Sequence, residues 1–219
     1  MAAIAGSYYI RKVPSLIITK YFVYLLWVTF FIEIFSLYAV IGYYSDYRYF
    51  SFVENTNFSN NYWVYNIFFI LSFAFYIYFF RFFIKGNMIR QILKYAIVAY
   101  IILGFIYLVF SDVFFKGTSH FTSITGTLLL LSTIFIFYFE LLRSDVLLNL
   151  KRFLPIYISV GALIFHLCVT PLDIFSEYFQ SENRSYVQLR IKVLLYGNIF
   201  LYSTYILGFI ICSRRKKSY

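Results

Sequence analysis

The sequence predicts an all-α membrane protein, a bundle of six transmembrane helices in a single polytopic domain covering residues 1–219. Three observations predict it. Hydrophobic residues make up 62% of the chain and charged ones 13%, with a mean hydropathy of +0.77; soluble domains run near about 45–50% apolar and about 25% charged. Apolar runs of about 20 residues, the length that crosses a bilayer as a helix, recur along the chain. Lysines and arginines gather in alternate connections between those runs, as they do when a chain threads back and forth through a membrane. No connection is long enough to fold as a separate soluble domain.

Met1–Ile10 is too short to span and reads as a short interfacial piece or the stub of a helix. It has neither a basic n-region nor an apolar h-region ahead of Arg11-Lys12, so no cleavable signal peptide is expected. Pro14 suits a turn before the first span better than a helix interior. That span runs from Leu16 to about Ile41 and is followed by a polar, Asn-rich segment, Ser45 to Asn61. The second span, about Tyr62 to Ile84, opens on the interface anchor Tyr62-Trp63 and closes on a tight Lys85-Gly86-Asn87 turn. The third covers about Ile92 to Phe110, and a short loop carries Asp112, Lys116, Gly117 and His120. The fourth covers about Ser123 to Leu142, with hydroxyls at Thr125, Thr127, Ser132 and Thr133 that are expected to bond back to their own helix. A connection from Arg143 to Arg152 leads to the fifth span, about Leu154 to Pro171. There Pro155 sits at the start, where a missing N–H costs little, and Pro171 reads as the stop. The segment Leu172 to Gln188, with Asp173, Glu177 and Glu182, reads as an acidic loop ahead of the sixth span, about Leu189 to Cys212, and the tail Arg214-Arg215-Lys216-Lys217.

Six spans put both ends on one side, and the basic residues select the cytoplasmic one. The chain is therefore expected as a multi-pass membrane protein with both ends cytoplasmic. The net charge of +10 is explained by that orientation, not by a nucleic-acid-binding stripe, which would need one folded basic face. The 29 Phe and 24 Tyr read as A/T-rich codon usage, with Tyr and Trp also anchoring the interfaces. Cys168 and Cys212 fall in different spans near opposite faces, so neither a disulfide nor a metal spacing is expected.

One carboxylate, Glu33, lies inside the first apolar run, on the order of 5–10 Å outward of its middle by helical rise. An ionised group in hydrocarbon needs a partner, water or a proton, so neighbouring helices are expected to shield it. Asn66, His166 and Asn198 come from three other spans at overlapping depths. The sharp reading is one water-accessible polar cluster of Glu33, Asn66, His166 and Asn198 open to the outside; the plain one is that each bonds a neighbouring helix, for about 0.6 kcal/mol. Glu140 ends the fourth span near the level of Arg81, Lys85 and Arg143, and reads as half of an interfacial ion pair at the cytoplasmic face.

No G-x-S-x-G elbow, H-E-x-x-H pair, P-loop or G-x-G-x-x-G occurs. His166 and Cys168, two residues apart, point to different sides of a helix, the wrong geometry for a base and its nucleophile. Neither a catalytic activity nor a cofactor is expected.

Several blocks carry a family resemblance: Lys12-x-Pro14-x-Leu16 followed by Phe30-Phe31-Ile32-Glu33-Ile34, then Tyr62-Trp63-Val64-Tyr65-Asn66-Ile67. Gly126-Thr127-Leu128 through Phe137-Tyr138-Phe139-Glu140-Leu141-Leu142, Ile158-Ser159-Val160-Gly161, and the final Tyr196 to Lys217 complete the set. Together they resemble uncharacterised multi-pass inner-membrane proteins of Bacteroidota. The resemblance implies a seven-helix plan from which this chain departs by holding only Met1–Ile10 ahead of its Lys12–Pro14 element, and it marks Glu33, Asn66 and Glu140 as recurring. It carries no activity. The leading expectation is a non-enzymatic sensory or regulatory membrane module, embedded in the lipid bilayer and acting with a separate cytoplasmic protein or a second copy. The alternatives are a transporter, an oligomeric pore or accessory effector such as one of a defence system, and a structural subunit of a larger complex.

Overall fold

The computed structural model describes residues 1–175 and 184–214 of the chain. Among the described residues the regular structure is all helical, without strands. The α-helices in order are α1 (Ala2–Lys12), α2 (Ile17–Tyr44), α3 (Tyr62–Arg81), α4 (Asn87–Phe110), α5 (Val113–Lys116), α6 (His120–Leu142), α7 (Leu154–Phe175) and α8 (Arg184–Ser213). Six of them, α2, α3, α4, α6, α7 and α8, are long and apolar enough to cross a membrane. Glu177, Glu182 and the basic residues from Arg215 onward lie outside the described residues.

Contacts sort the helix ends into two groups. At one end Gly86, between α3 and α4, meets Glu140 near the end of α6, and Phe83 meets Phe153 at the entry to α7 with ring centroids 5.6 Å apart. Arg81, Lys85, Arg90, Arg143, Lys151 and Arg152 cluster here, so we call it the basic end. At the opposite end Asn66 of α3 holds the loop after α5, and Asp173 of α7 meets Ser123 of α6.

A run that is apolar all round leaves side chains to be divided between lipid and neighbouring helices. Phe22, Ile70, Phe79, Phe80, Leu130, Ile134, Ile158 and Tyr205 point inward and are fully buried, while Val28, Phe31, Ile34, Val109, Phe135 and Ile199 stay exposed for the acyl chains. The core is built from offset and edge-on rings, such as Phe22–Phe79 at 5.2 Å and Phe80–Phe137 at 5.5 Å, the arrangements that the ring quadrupole favours.

Helices α7 and α8 pack together most extensively. A Cβ at Gly208 of α8 would come within 2.6 Å of Tyr157 Cβ on α7, and one at Gly126 of α6 within 2.7 Å of the Phe73 ring on α3. Small residues at such crossings let membrane helices approach closely, where dispersion rather than a hydrophobic drive holds them.

Several boundaries differ from the sequence reading, each for a local reason. Helix α4 starts at Asn87, not Ile92, because the chain re-enters the helix straight after Gly86, and its first turns are polar. Helix α6 starts at His120 because Ser119 caps it, its Oγ accepting the Thr122 N–H at 3.3 Å. Pro171 is not a stop: α7 runs through it to Phe175. A proline costs a helix less where one turn remains and membrane neighbours or water take up the freed carbonyl. As a result Asp173, expected in a loop, is helical.

The first residues form a short helix packed against the bundle. Helix α1 is about 16 Å long by helical rise, half a span, and it folds back along α2 and against α8. Gly6 makes this possible, since a Cβ there would meet Val23 at 2.8 Å and Phe209 at 3.0 Å. Trp27 of α2 donates its indole N–H to Ser7 Oγ at 2.9 Å. Ala2 and Ala3 are buried.

Candidate functional site

In the half of the bundle away from the basic end, α2, α3, α6, α7 and α8 leave a cavity of about 280 Å³. Its floor is aromatic. Tyr76 of α3 and Tyr205 of α8 share a hydroxyl–hydroxyl hydrogen bond of 2.9 Å, and below them Phe22 sets its ring edge-on to both, at 6.0 and 5.3 Å. Phe69, Phe73, Phe165 and Tyr202 supply apolar walls, and Ser119, His120, Asp173 and Arg190 stand on its lining nearer the helix ends. Both histidines of the chain, His120 and His166, line this one space.

Two charged groupings face it. Arg190 of α8 and Asp173 of α7 form an ion pair at 3.4 Å, and the Ser123 hydroxyl donates to the other carboxylate oxygen at 3.3 Å. Arg190 Nε is buried without a hydrogen-bond partner among the described residues. Glu33 on α2 accepts the Tyr65 hydroxyl at 3.0 Å. Among the described residues no lysine or arginine stands at ion-pair distance from Glu33.

Of the four residues expected to form one cluster, three line the cavity: Glu33, His166 and Asn198. His166 is held between rings, with Phe73 at 5.0 Å and Phe165 at 5.1 Å, while Cys168 lies exposed on another side of the helix, as the spacing implies. Asn198 donates to the Leu194 carbonyl of its own helix at 2.9 Å. The carboxylate is less sheltered than expected. Glu33 is exposed at the surface of the bundle as well as facing the cavity, because α2 packs on the other spans along a narrow strip and the Phe30, Phe31 and Ile34 around it face outward.

Asn66 is a correction. It is fully buried and turned away from the cavity, toward the segment after α5. Its Nδ2 donates to the Gly117 carbonyl at 2.9 Å and the Phe114 carbonyl at 3.2 Å, and its Oδ1 accepts the Ser119 N–H at 2.9 Å. It is a latch on backbone, with its hydrogen-bonding capacity spent there.

The ion pair expected for Glu140 with Arg81, Lys85 or Arg143 is absent among the described residues. Glu140 Oε1 instead accepts the N–H of Gly86 at 3.2 Å, the residue just before α4, where a carboxylate also meets the positive end of the helix dipole. Arg81 Nε donates to the Arg90 carbonyl at 2.6 Å, and Arg143 lies over the Phe139 ring at 4.1 Å. Lys85 is exposed.

Sequence reasoning missed Tyr65, Asp173, Arg190, Tyr202 and the Tyr76–Tyr205 pair. Thr127, expected to bond its own helix, instead accepts from Thr170 of α7 at 3.3 Å; Thr133 does bond back, to the Leu129 carbonyl at 2.7 Å.

No family model, curated protein or solved structure matches this chain. The site must be read from its own chemistry. It offers a carboxylate, phenols, an amide, imidazoles and aromatic faces around a small cavity, a set suited to holding a molecule that carries both polar and apolar parts.

Proposed function

We propose that this integral membrane protein is a non-enzymatic binding module, sensory or regulatory in role, whose ligand occupies the cavity and whose state is read by a separate protein at the basic end. That end we place in the cytoplasm on the positive-inside rule, with the cavity toward the outside of a bacterial inner membrane. The observation that carries the reading is the floor: the bonded Tyr76–Tyr205 pair lines the cavity, and Phe22, Phe79 and Tyr205 are fully buried beneath and beside it. A chamber walled off in mid-bundle suits occupancy better than passage. Part of its wall belongs to α7 and α8, which continue to the basic end, so a ligand that shifts their crossing would be felt there.

The test is reconstitution in proteoliposomes combined with cross-linking in cells. Proteoliposomes should carry no flux of protons, alkali cations, chloride or small organic solutes above that of empty vesicles. A cross-linker placed at Asn87 should capture a distinct protein whose recovery is altered by Ser72→Trp, which fills the cavity from its α3 wall, where Ser72 stands. Flux through the wild-type chain that Ser72→Trp abolishes would replace this reading with the transporter or pore.

A further inference from the structure

The charges around the cavity do not balance. Arg190 is matched by Asp173 at 3.4 Å, and the remaining charged side chain of the described lining is Glu33, whose bonded partner, the Tyr65 hydroxyl at 3.0 Å, is neutral. Counting the lysine, arginine, aspartate and glutamate side chains of the described lining, the carboxylates exceed the cations by one, and away from water a carboxylate gains most from a cationic partner. Around it stand aromatic side chains: Phe69 and Tyr202 line the same space, and Phe165 closes another side. Ring faces attract an organic cation and also pack its apolar substituents. The volume of about 280 Å³ lies near the lower limit for small-molecule sites, roughly 300–1,000 Å³.

Access fits the same class. Glu33 is exposed on the flank of the bundle among exposed Phe30, Phe31 and Ile34, about 4 Å beyond the midpoint of α2 by helical rise. The half-length α1 fills the interval between α2 and α8 near the basic end, at the level of Val23, Trp27 and Phe209. Farther along, α2 and α8 are represented on the cavity wall by Glu33, Leu194 and Asn198. Glu33 is thus presented both to the cavity and to the flank of the bundle, the side from which a molecule dissolved in the bilayer would come.

We infer that the cavity binds a small lipophilic organic cation, an amine or quaternary ammonium, with Glu33 as its counter-charge and Phe69, Phe165 and Tyr202 as the faces that hold its apolar part. This deepens the proposed function and rests on the cavity being a binding chamber.

The experiment uses the full chain in lipid nanodiscs and three probes of similar shape: benzyltrimethylammonium, its uncharged carbon analogue neopentylbenzene, and the anion benzenesulfonate. Saturation-transfer NMR and the shift in unfolding temperature report binding. The cation should bind and the other two should bind at least about tenfold more weakly, the scale of one charge contact with a ring contribution. Glu33→Gln, which keeps an acceptor for Tyr65, should cut cation affinity by a similar factor without lowering the unfolding temperature of the free protein, and Glu33→Asp should recover part of it. Equal binding of the cation by wild type and Glu33→Gln would overturn the inference, as would preference for the neutral or anionic probe. Should Glu33→Gln fail to fold, the ranking of the three probes on the wild type decides. A neutral or anionic probe that binds and is displaced by Ser72→Trp refutes the cation but leaves the binding chamber standing, whereas flux removed by Ser72→Trp refutes the chamber itself.

Discussion

Single polar side chains inside apolar runs were visible in the sequence, but their direction was not. Glu33, His166 and Asn198 stood out because hydrocarbon tolerates few such groups, and the fold brings all three to one cavity. Asn66 stood out for the same reason and yet serves another purpose, since its partners are backbone groups about 50 positions later in the chain. Nothing in the spacing of the second span announces them. Tyr65 was hidden among 24 tyrosines, although it directly precedes Asn66 and could have been sought as a phenol at the depth of Glu33. Asn66→Leu should destabilise the protein by about 2–3 kcal/mol, because it strands buried carbonyls and an N–H without water to replace the amide; chemical denaturation in mixed micelles followed by circular dichroism measures it. Glu140→Gln, by contrast, keeps the acceptor for Gly86 and loses the charge at the α4 terminus, so a loss of about 0.3–1 kcal/mol is expected. Glu140→Ala, which removes the bond too, should cost more in the same assay.

At the scale of the helices, the six spans were legible because twenty apolar residues in a row have few other fates. Their ends were less so. Pro171 was read as a stop because proline breaks most helices, and that reading hid Asp173 and its ion pair with Arg190 one turn from the end of α7. Helix α1 was undervalued because length alone rules out a span, while its worth lies in fit: Gly6, Val23 and Phe209 interlock, and Ser7 meets Trp27. The α7–α8 crossing is a packing feature that the sequence shows only as scattered glycines. Gly208→Ala should cost about 1–3 kcal/mol, the range for overpacking a tight contact, since the atom in the way is Tyr157 Cβ, fixed to the backbone. The same substitution at Gly117, where an added Cβ meets nothing within 4 Å, should leave the unfolding midpoint nearly unchanged. Denaturation of the two variants side by side tests the contrast.

For the whole molecule, basic residues at one end and a cavity toward the other give the protein a polarity that can be checked directly. With Cys168 and Cys212 replaced by Ser, a cysteine at Asn57, in the long polar segment, should react with a membrane-impermeant maleimide added to intact cells. One at Asn87, the exposed first residue of α4 at the basic end, should react only after permeabilisation. The reverse pattern would turn the protein over and place the cavity in the cytoplasmic half. The number of spans follows from composition and the orientation under test is the one that charge proposes, whereas the cavity arises from how five helices tilt and pack, which one chain written in a line does not record. The two tryptophans also offer an optical readout. Trp27 anchors α1 through Ser7, and Trp63 donates to the Tyr38 hydroxyl at 3.1 Å beneath the long polar segment. Each indole therefore reports on a different joint, and replacing one by phenylalanine leaves fluorescence from the other. Emission from the Trp63→Phe protein would track detachment of the N-terminal helix, that from Trp27→Phe the lifting of the polar segment, and the order of the two on heating could be followed without attaching a dye.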